Sequence, residues 1–332
     1  MTIRISTLLI LLAWCLMAFA NSHNQGKGAD NDCERGRAGP LTTIALLGKK
    51  PAVSAENFSS YWRDIHGTLA TRIPGFWSYR QYHIDEEVTE LRRFPIGIDL
   101  MPEELDGFAD VSFCSEEDIA GLSSSLTAEL IKSDEQNVFS YSYLYSALPG
   151  DSLTIKNLAI KSPAVKNPLG FPASAATTGD QSFIFLLSKP ARQDMTEFKT
   201  SVTARVGALS QHCTGLVRIR ANFFAPYDAT AWPAPNVNHQ PRHITDAAVE
   251  LSFSHRDDIR ECFSAIDDSN LAGAQGLQFA YRVKSRYAMV ESGQATLIGL
   301  RGLPALQLIR KLGADNQTSE PVLQALYGIG QK

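Results

Sequence analysis

Residues 106–119, DGFADVSFCSEEDI, return 140 positions later as residues 246–259, DAAVELSFSHRDDI. In the first copy Ala109, Val111 and Phe113 alternate with Phe108, Asp110 and Ser112; in the second Val249, Leu251 and Phe253 alternate with Ala248, Glu250 and Ser252. A period of two is the pattern of a strand with one face on helices and the other on something more polar. Acidic residues then follow Ser115 and Ser254, as the first turn of a helix favours.

The same offset aligns Phe58 with Phe198, Gly67 with Gly207, Leu69 with Leu209, Gly75 with Gly215 and Arg80 with Arg220. Identities kept in order through two blocks point to a duplicated unit. In each copy a short apolar run, 42–47 or 182–187, precedes a Pro-containing turn and fits a buried first strand. Phe58, Trp62, Ile65 and Leu69 then form one helical stripe, which Pro74-Gly75 ends. Residues 76–84 and 216–224 read as second strands, 138–147 and 277–290 as fourth strands. The order strand, helix, strand, strand, helix, strand predicts an α+β fold of two ferredoxin-like βαββαβ units, each with helices on one sheet face. Two such units can close their open faces on each other as one intrachain barrel with a central cavity. Leu297, Leu300, Leu303, Leu306, Ile309 and Leu312 mark a C-terminal helical tail outside the repeat.

Residues 1–20 stand apart. A basic start through Arg4, an apolar run over 5–20 and the small-x-small pattern Ala18-Phe19-Ala20 read as a secretory signal peptide cleaved after Ala20. The alternative is an uncleaved N-terminal membrane anchor, although the run is shorter than the ~20 residues a spanning helix prefers. The layout is then signal peptide 1–20, arm 21–41, first unit 42–147, linker 148–181, second unit 182–292 and C-terminal helical extension 293–332. Cys33, Cys114, Cys213 and Cys262 remain after cleavage; a secreted or periplasmic location allows disulfides, with three full pairings open.

Composition excludes several classes. With 44% hydrophobic and 20% charged residues the chain can bury a core, and a formal charge of −4 lacks the positive field that nucleic acid requires. No CxxC pair or compact ligand spacing suggests a metal, and no dinucleotide fingerprint, phosphate loop, Ser-His-Asp order or thiol nucleophile context stands out. The expected partner is a small organic molecule, with no cofactor, no nucleic acid and no stable membrane insertion after cleavage; a homodimer is compatible.

The segment Phe58-Ser59-Ser60-Tyr61-Trp62-Arg63-Asp64-Ile65-His66-Gly67-Thr68-Leu69-Ala70, followed by Ile73-Pro74-Gly75 and Asp106-Gly107-Phe108-Ala109-Asp110, resembles the EthD family of dimeric α/β-barrel proteins. That helix motif is an aromatic pair, a His four residues on, a small residue and Leu-Ala. The resemblance covers about 42–147 and reaches 182–290 through the repeat. It implies a usually cofactor-free barrel that breaks down or tailors organic compounds, with oxidoreductase the usual class label; lyases and isomerases share the fold, and haem enters only by wider fold analogy.

The two copies differ chemically: His66 aligns with Val206, Trp62 with Val202 and Tyr61 with Ser201, so the motif survives only in the first. His66 is the candidate catalytic group, a proton carrier near neutral pH; the competing reading is a structural histidine that bonds a neighbouring carbonyl. Strand parity puts Arg80, Tyr82, Asp110, Arg220 and Glu250 on the cavity face as candidate substrate-binding residues, with Arg80 expected to pair with Asp110 and His83 on the opposite face. The combined expectation is an exported, cofactor-independent enzyme that holds a small apolar or aromatic oxygenated compound in the barrel cavity while His66 moves a proton. The alternative is a non-catalytic binding or structural barrel.

Overall fold

The structure, a computed structural model, describes residues 33, 41–87, 104–157, 181–255, 258–259, 262 and 277–327. The expected signal peptide and most of the helix expected after Ser254 lie outside them. Strands β1 (Leu41–Lys49), β2 (Ser78–Glu87), β3 (Gly107–Phe113) and β4 (Phe139–Ala147) pair antiparallel in the order β4-β1-β3-β2. After β5 (Ser152–Asn157), strands β6 (Gln181–Leu187), β7 (Leu216–Phe223), β8 (Ala247–Phe253) and β9 (Leu277–Glu291) repeat that order as β9-β6-β8-β7.

The fourth strands join the halves. β9 pairs with β6 of its own unit and with β2 of the first, which is why it runs for 15 residues. Its counterpart breaks in two: β4 pairs with β1, and after residues 148–151 the chain resumes as β5 against β7 of the second unit. The segment read as a linker therefore opens with a strand. Ala225 N–H donates to Ser146 O at 2.8 Å and Phe223 N–H to Asp151 O at 2.9 Å, so the sheet returns on itself as a barrel. Antiparallel edges that meet in this way leave no exposed row of unpaired amides along the seam.

The identities at the 140-residue offset have physical causes. Asp106 accepts Lys49 N–H at 2.8 Å and Asp246 accepts Lys189 N–H at 2.7 Å, so one carboxylate fastens the end of each first strand. The equivalent hydroxyls of Ser112 and Ser252 each meet a serine on a neighbouring strand, Ser78 of β2 at 2.6 Å and Ser182 of β6 at 2.8 Å. Ser115 with Asp118 forms a reciprocal cap at the start of a helical turn (Glu116–Ile119), and Ser254 bonds Asp258 at 2.8 Å. Disulfides Cys33–Cys114 and Cys213–Cys262 select one of the three pairings, the first tying the N-terminal arm to the first unit and the second lying within the second unit.

Three apolar layers result. One lies between the first half-sheet and its helices around Phe58, Trp62, Phe113 and Phe139. A second lies under helix α3 (Met195–His212) around Phe198, Leu216 and Phe253, and the third fills the lumen with Ile44, Tyr82, Tyr143, Tyr145, Ile184 and Tyr281. The C-terminal tail, α4 (Leu297–Arg301), α5 (Leu303–Leu312) and α6 (Glu320–Tyr327), sends Ile298 and Leu306 into the first layer, and Leu303 N–H donates to Asp64 at 2.8 Å.

Helix α1 departs from the expected stripe. It is α-helical over Ala55–Tyr61, takes a π-turn over Trp62–His66 and resumes over Gly67–Ala70. A π-turn holds more residues than the 3.6 of an α-turn, so each residue advances less around the axis. The lag carries His66 from the margin to the buried face at 5% exposure and leaves Ile65, expected in the stripe, 54% exposed. Two donors hold the turn at the Trp62 carbonyl: Gly67 N–H, and Gln81 Nε2 from β2 at 2.9 Å. A Cβ on Gly67 would sit 2.8 Å from that oxygen and 2.5 Å from Gln81 Nε2, whereas the equivalent Gly207 has nothing within 4 Å. In urea denaturation, Gly67→Ala is therefore expected to lose about 1–3 kcal/mol by overpacking. Gly207→Ala, in a continuous α-helix, should gain about 0.5–1 kcal/mol.

Candidate active site

Strand parity brings the five expected binding residues together in the lumen. Arg220 and Asp110 form an ion pair whose side chains are both almost wholly buried; Arg220 also donates to Thr42 Oγ1 at 3.3 Å and, through Nη2, to Ser152 Oγ at 3.1 Å. Glu250 accepts from Arg218 Nε at 2.9 Å, Arg286 Nη1 at 3.1 Å and Tyr82 OH at 3.1 Å. The expected Arg80–Asp110 pair is replaced. Although Arg80 lies opposite Asp110 in the β2–β3 register, closure of the barrel lets Arg220 reach Asp110 from the other unit, and Arg80 bonds Ser78 Oγ at 3.3 Å.

These charges form a locked network beside the apolar layer of the lumen. Burial works against the Glu250 charge, yet Arg218 and Arg286 hold its carboxyl down at about 2. Burial, then the Glu250 charge, pushes the Tyr82 phenol up to about 12. At one mouth, Leu46, Tyr143, Leu186, His243, Phe279 and Tyr281 line a cavity of about 30 Å³, about one water's share of liquid volume.

His66 does not enter this lumen, which corrects the expectation that it serves a barrel cavity. A helix packed on the outer face of a half-sheet directs its buried side chains into the helix–sheet layer, and the strands separate them from the interior. There His66 lines a cavity of about 80 Å³ with Trp62, Tyr79, Glu135, Phe139 and Trp232. Its Nδ1 lies 2.9 Å from Asp134 Oδ2, and its ring meets the edge of Phe139 at 5.3 Å. Asp134 also accepts from Tyr61 OH at 2.6 Å and Asn137 Nδ2 at 3.0 Å. Burial alone would raise this carboxyl, but the bonds from His66 and Tyr61 outweigh it and hold it below its ordinary value. An ionised carboxylate can only accept, so His66 Nδ1 carries the hydrogen of this bond. Among the described residues Nε2 has no hydrogen-bond partner.

The helix side of β2 supports this arrangement. His83, on the face opposite Arg80 and Tyr82, bonds Ser59 Oγ at 2.7 Å and stacks on Trp62 at 4.5 Å. Burial, with the charges of Arg63 and Lys284, pushes it down to about 3, so it stays neutral. Tyr61 orders Asp134 and Trp62 packs in the core.

Asp134, Glu135 and Trp232 were not foreseen. Asp134 and Glu135 close helix α2 (Leu126–Glu135), where the helix dipole disfavours negative charge; that placement is a signal legible in the sequence. Trp232 carries none, because it arrives from the second unit's 224–246 loop by tertiary contact. Among the described residues no group of three or more His, Cys, Asp and Glu forms a metal-ligand set.

The lumen network yields a stability test. Glu250 has a folded value of about 2 against an ordinary 4.5, so its stabilisation is present above pH 4.5 and is lost as pH falls toward 2. Urea denaturation at pH 7, 4 and 3 should show that decline in the parent protein and a flatter one in Glu250→Gln. At pH 7, Glu250→Ala should cost about 3–5 kcal/mol by removing the buried carboxylate that Arg218 and Arg286 share.

Residues 50–141 match the EthD domain. Comparison with curated proteins returns no match. Solved structures with a similar chain path include a presumed monooxygenase from Lactobacillus acidophilus, 9% identical over 74% of this chain and 93% of that one, TM-score 0.43. An anthrone oxidase-like protein is 11% identical over 76% and 94%, TM-score 0.45. Chlorite dismutase from Candidatus Nitrospira defluvii is 8% identical over 76% and 94%, TM-score 0.38. At such values the likeness extends to neither substrate nor mechanism. The first ferredoxin-like unit thus carries an EthD domain, residues 50–141, with His66 inside it.

Proposed function

We propose that this EthD-domain protein is an exported enzyme in which the Asp134–His66 dyad acts as general base on a small, largely apolar ring compound bearing a carbonyl or hydroxyl. The observation that carries the reading is a single one: a buried histidine with Nδ1 tied to an ionised aspartate, Nε2 without a partner among the described residues, in a mostly apolar cavity. An oriented imidazole of this kind contributes about 10²–10⁴-fold to a proton transfer. Low polarity around it strengthens each electrostatic contact made there. The cavity of about 80 Å³ is smaller than the roughly 300–1,000 Å³ usual for drug-sized ligands, which favours a compound of one ring. The sequence pattern of residues 1–20 and the two disulfides support export. The lumen, filled by paired charges and aromatic rings, is structural in this reading.

Deuterium exchange tests it. The mature protein is mixed in D₂O with cyclohexanone, 3-cyclohexenone and phenol, and label entering carbon is followed by NMR. Exchange above the buffer rate on at least one of them is expected, with a drop of about 10²-fold or more in His66→Ala. Asp134→Asn, able to turn an amide N–H toward Nδ1 and reverse the tautomer, should fall in the same direction. Exchange equal in the parent and His66→Ala, or at the buffer rate in both, overturns the reading and leaves the dyad as a clamp between α1 and α2.

A further inference from the structure

We infer that Glu135 is the proton donor working with His66, and that Trp232, supplied by the second unit, holds it in position; the inference rests on the reading of His66 as base. Glu135 is the last residue of α2, is 5% exposed and lines the same cavity as His66. Its two oxygens differ in role. Oε1 accepts from Trp232 Nε1 at 2.6 Å, while Oε2 is buried with no hydrogen-bond partner among the described residues. An orphaned buried oxygen costs stability unless it carries a proton or meets a ligand.

Burial, more than the groups around it, favours the neutral acid at Glu135. Burial pushes its carboxyl up to about 8; the bonds from Trp232 and Ser142 and the Lys132 charge pull it down, and the Asp134 charge raises it. His66 faces the cavity from α1 and the buried Tyr79 phenol from β2. With Oε1 taken by the indole, the proton resides on Oε2. One cavity then holds a group able to accept a proton and a group able to give one, an acid and a base set apart by their surroundings.

Trp232 reaches this site over the seam between the units, where its loop bonds β4 at Ser140 and Ser142. Its buried indole belongs to the first unit's apolar layer, Lys132 Nζ lies 4.9 Å from its ring centre, and Asn236 of the same loop donates to Gln136 at 2.8 Å. The second unit, which lost the histidine, thus supplies a positioning residue to the first.

The substrate class narrows to an enolisable ring ketone that already carries a C=C bond β,γ to the carbonyl, so that its enol is a dienol. His66 Nε2 takes a proton from the carbon next to the carbonyl, and the C–H pair becomes the C=C bond. The carbonyl π pair takes the proton from Glu135 Oε2, giving an enol, an imidazolium and a carboxylate. Return of the His66 proton to the far end of the dienol, and of the O–H proton to Glu135, yields the shifted alkene and resets both groups, with no oxidant consumed.

Two readouts test this on the full mature chain. The ¹⁵N–¹H resonance of the Trp232 indole, followed from pH 5 to 10, should titrate with a midpoint near 8, and Glu135→Gln should abolish the transition. Trp232→Phe removes a bond that favours the carboxylate, so it should move the alkaline limb of the rate profile upward. With 3-cyclohexenone as probe, conversion to 2-cyclohexenone should fall above pH 8 in the parent protein and by about 10²-fold or more in Glu135→Gln. An indole resonance that is flat, or that titrates below pH 6, overturns the inference. So does Glu135→Gln with the parent rate and alkaline limb while His66→Ala is inactive, a result that leaves the base intact. If His66→Ala also keeps the parent rate, the reading beneath falls as well.

Discussion

Each fourth strand is hydrogen-bonded to the first strand of its own unit and to the second strand of the other, so neither half can complete its sheet alone. The rest of the molecule follows from that shared pairing. Closing the ring turns the polar faces of both half-sheets inward, away from water, so every charge there needs a partner. The partners come from across the lumen: Arg220 of the second unit to Asp110 of the first, and Tyr82 of the first to Glu250 of the second. Such a network does more to define one register between the halves than to provide net stability, because desolvation offsets much of the Coulomb attraction.

The same closure decides where chemistry can occur. Among the described residues the lumen mouth holds a cavity of about 30 Å³ beside an open polar cleft of about 320 Å³ between Lys49, Glu104, Tyr141 and Arg242, whereas the layer between the first half-sheet and α1 keeps a mostly apolar cavity of about 80 Å³ that a histidine lines. In that layer the two copies have exchanged volumes. The Trp62 indole lies against Gly107, where an added Cβ would approach to 2.7 Å; at the matching positions of the second unit stand Val202 and Ala247. A large ring over glycine in one copy and a small side chain over alanine in the other are two solutions to one packing problem. Only the first comes with a π-turn, and that turn brings His66 to the buried face.

The sequence predicts most strands to within a few residues, because alternation and the 140-residue offset each constrain the same boundaries. It also places Arg80, Tyr82, Asp110, Arg220 and Glu250 on one face, since parity in a strand is strict. Partner choice within that set was not legible: Arg80 and Arg220 stand in equivalent register positions, and only the curvature of the closed barrel gives Asp110 to Arg220. The helix stripe failed at Ile65 for a related reason. A regular period assumes 3.6 residues per turn, and the Gln81 side chain on another element helps hold Trp62–His66 in a wider one.

The amino-acid sequence by itself determined a duplicated βαββαβ unit, the inward polar faces and the survival of His66 in the first copy only, all of which are local or periodic properties of the chain. Tertiary structure alone decided the face His66 serves, its Asp134 partner, and the Trp232 that crosses from the second unit to Glu135. These are contacts between residues 68 and 97 positions apart, and periodicity within an element carries no information about which surface another element will cover.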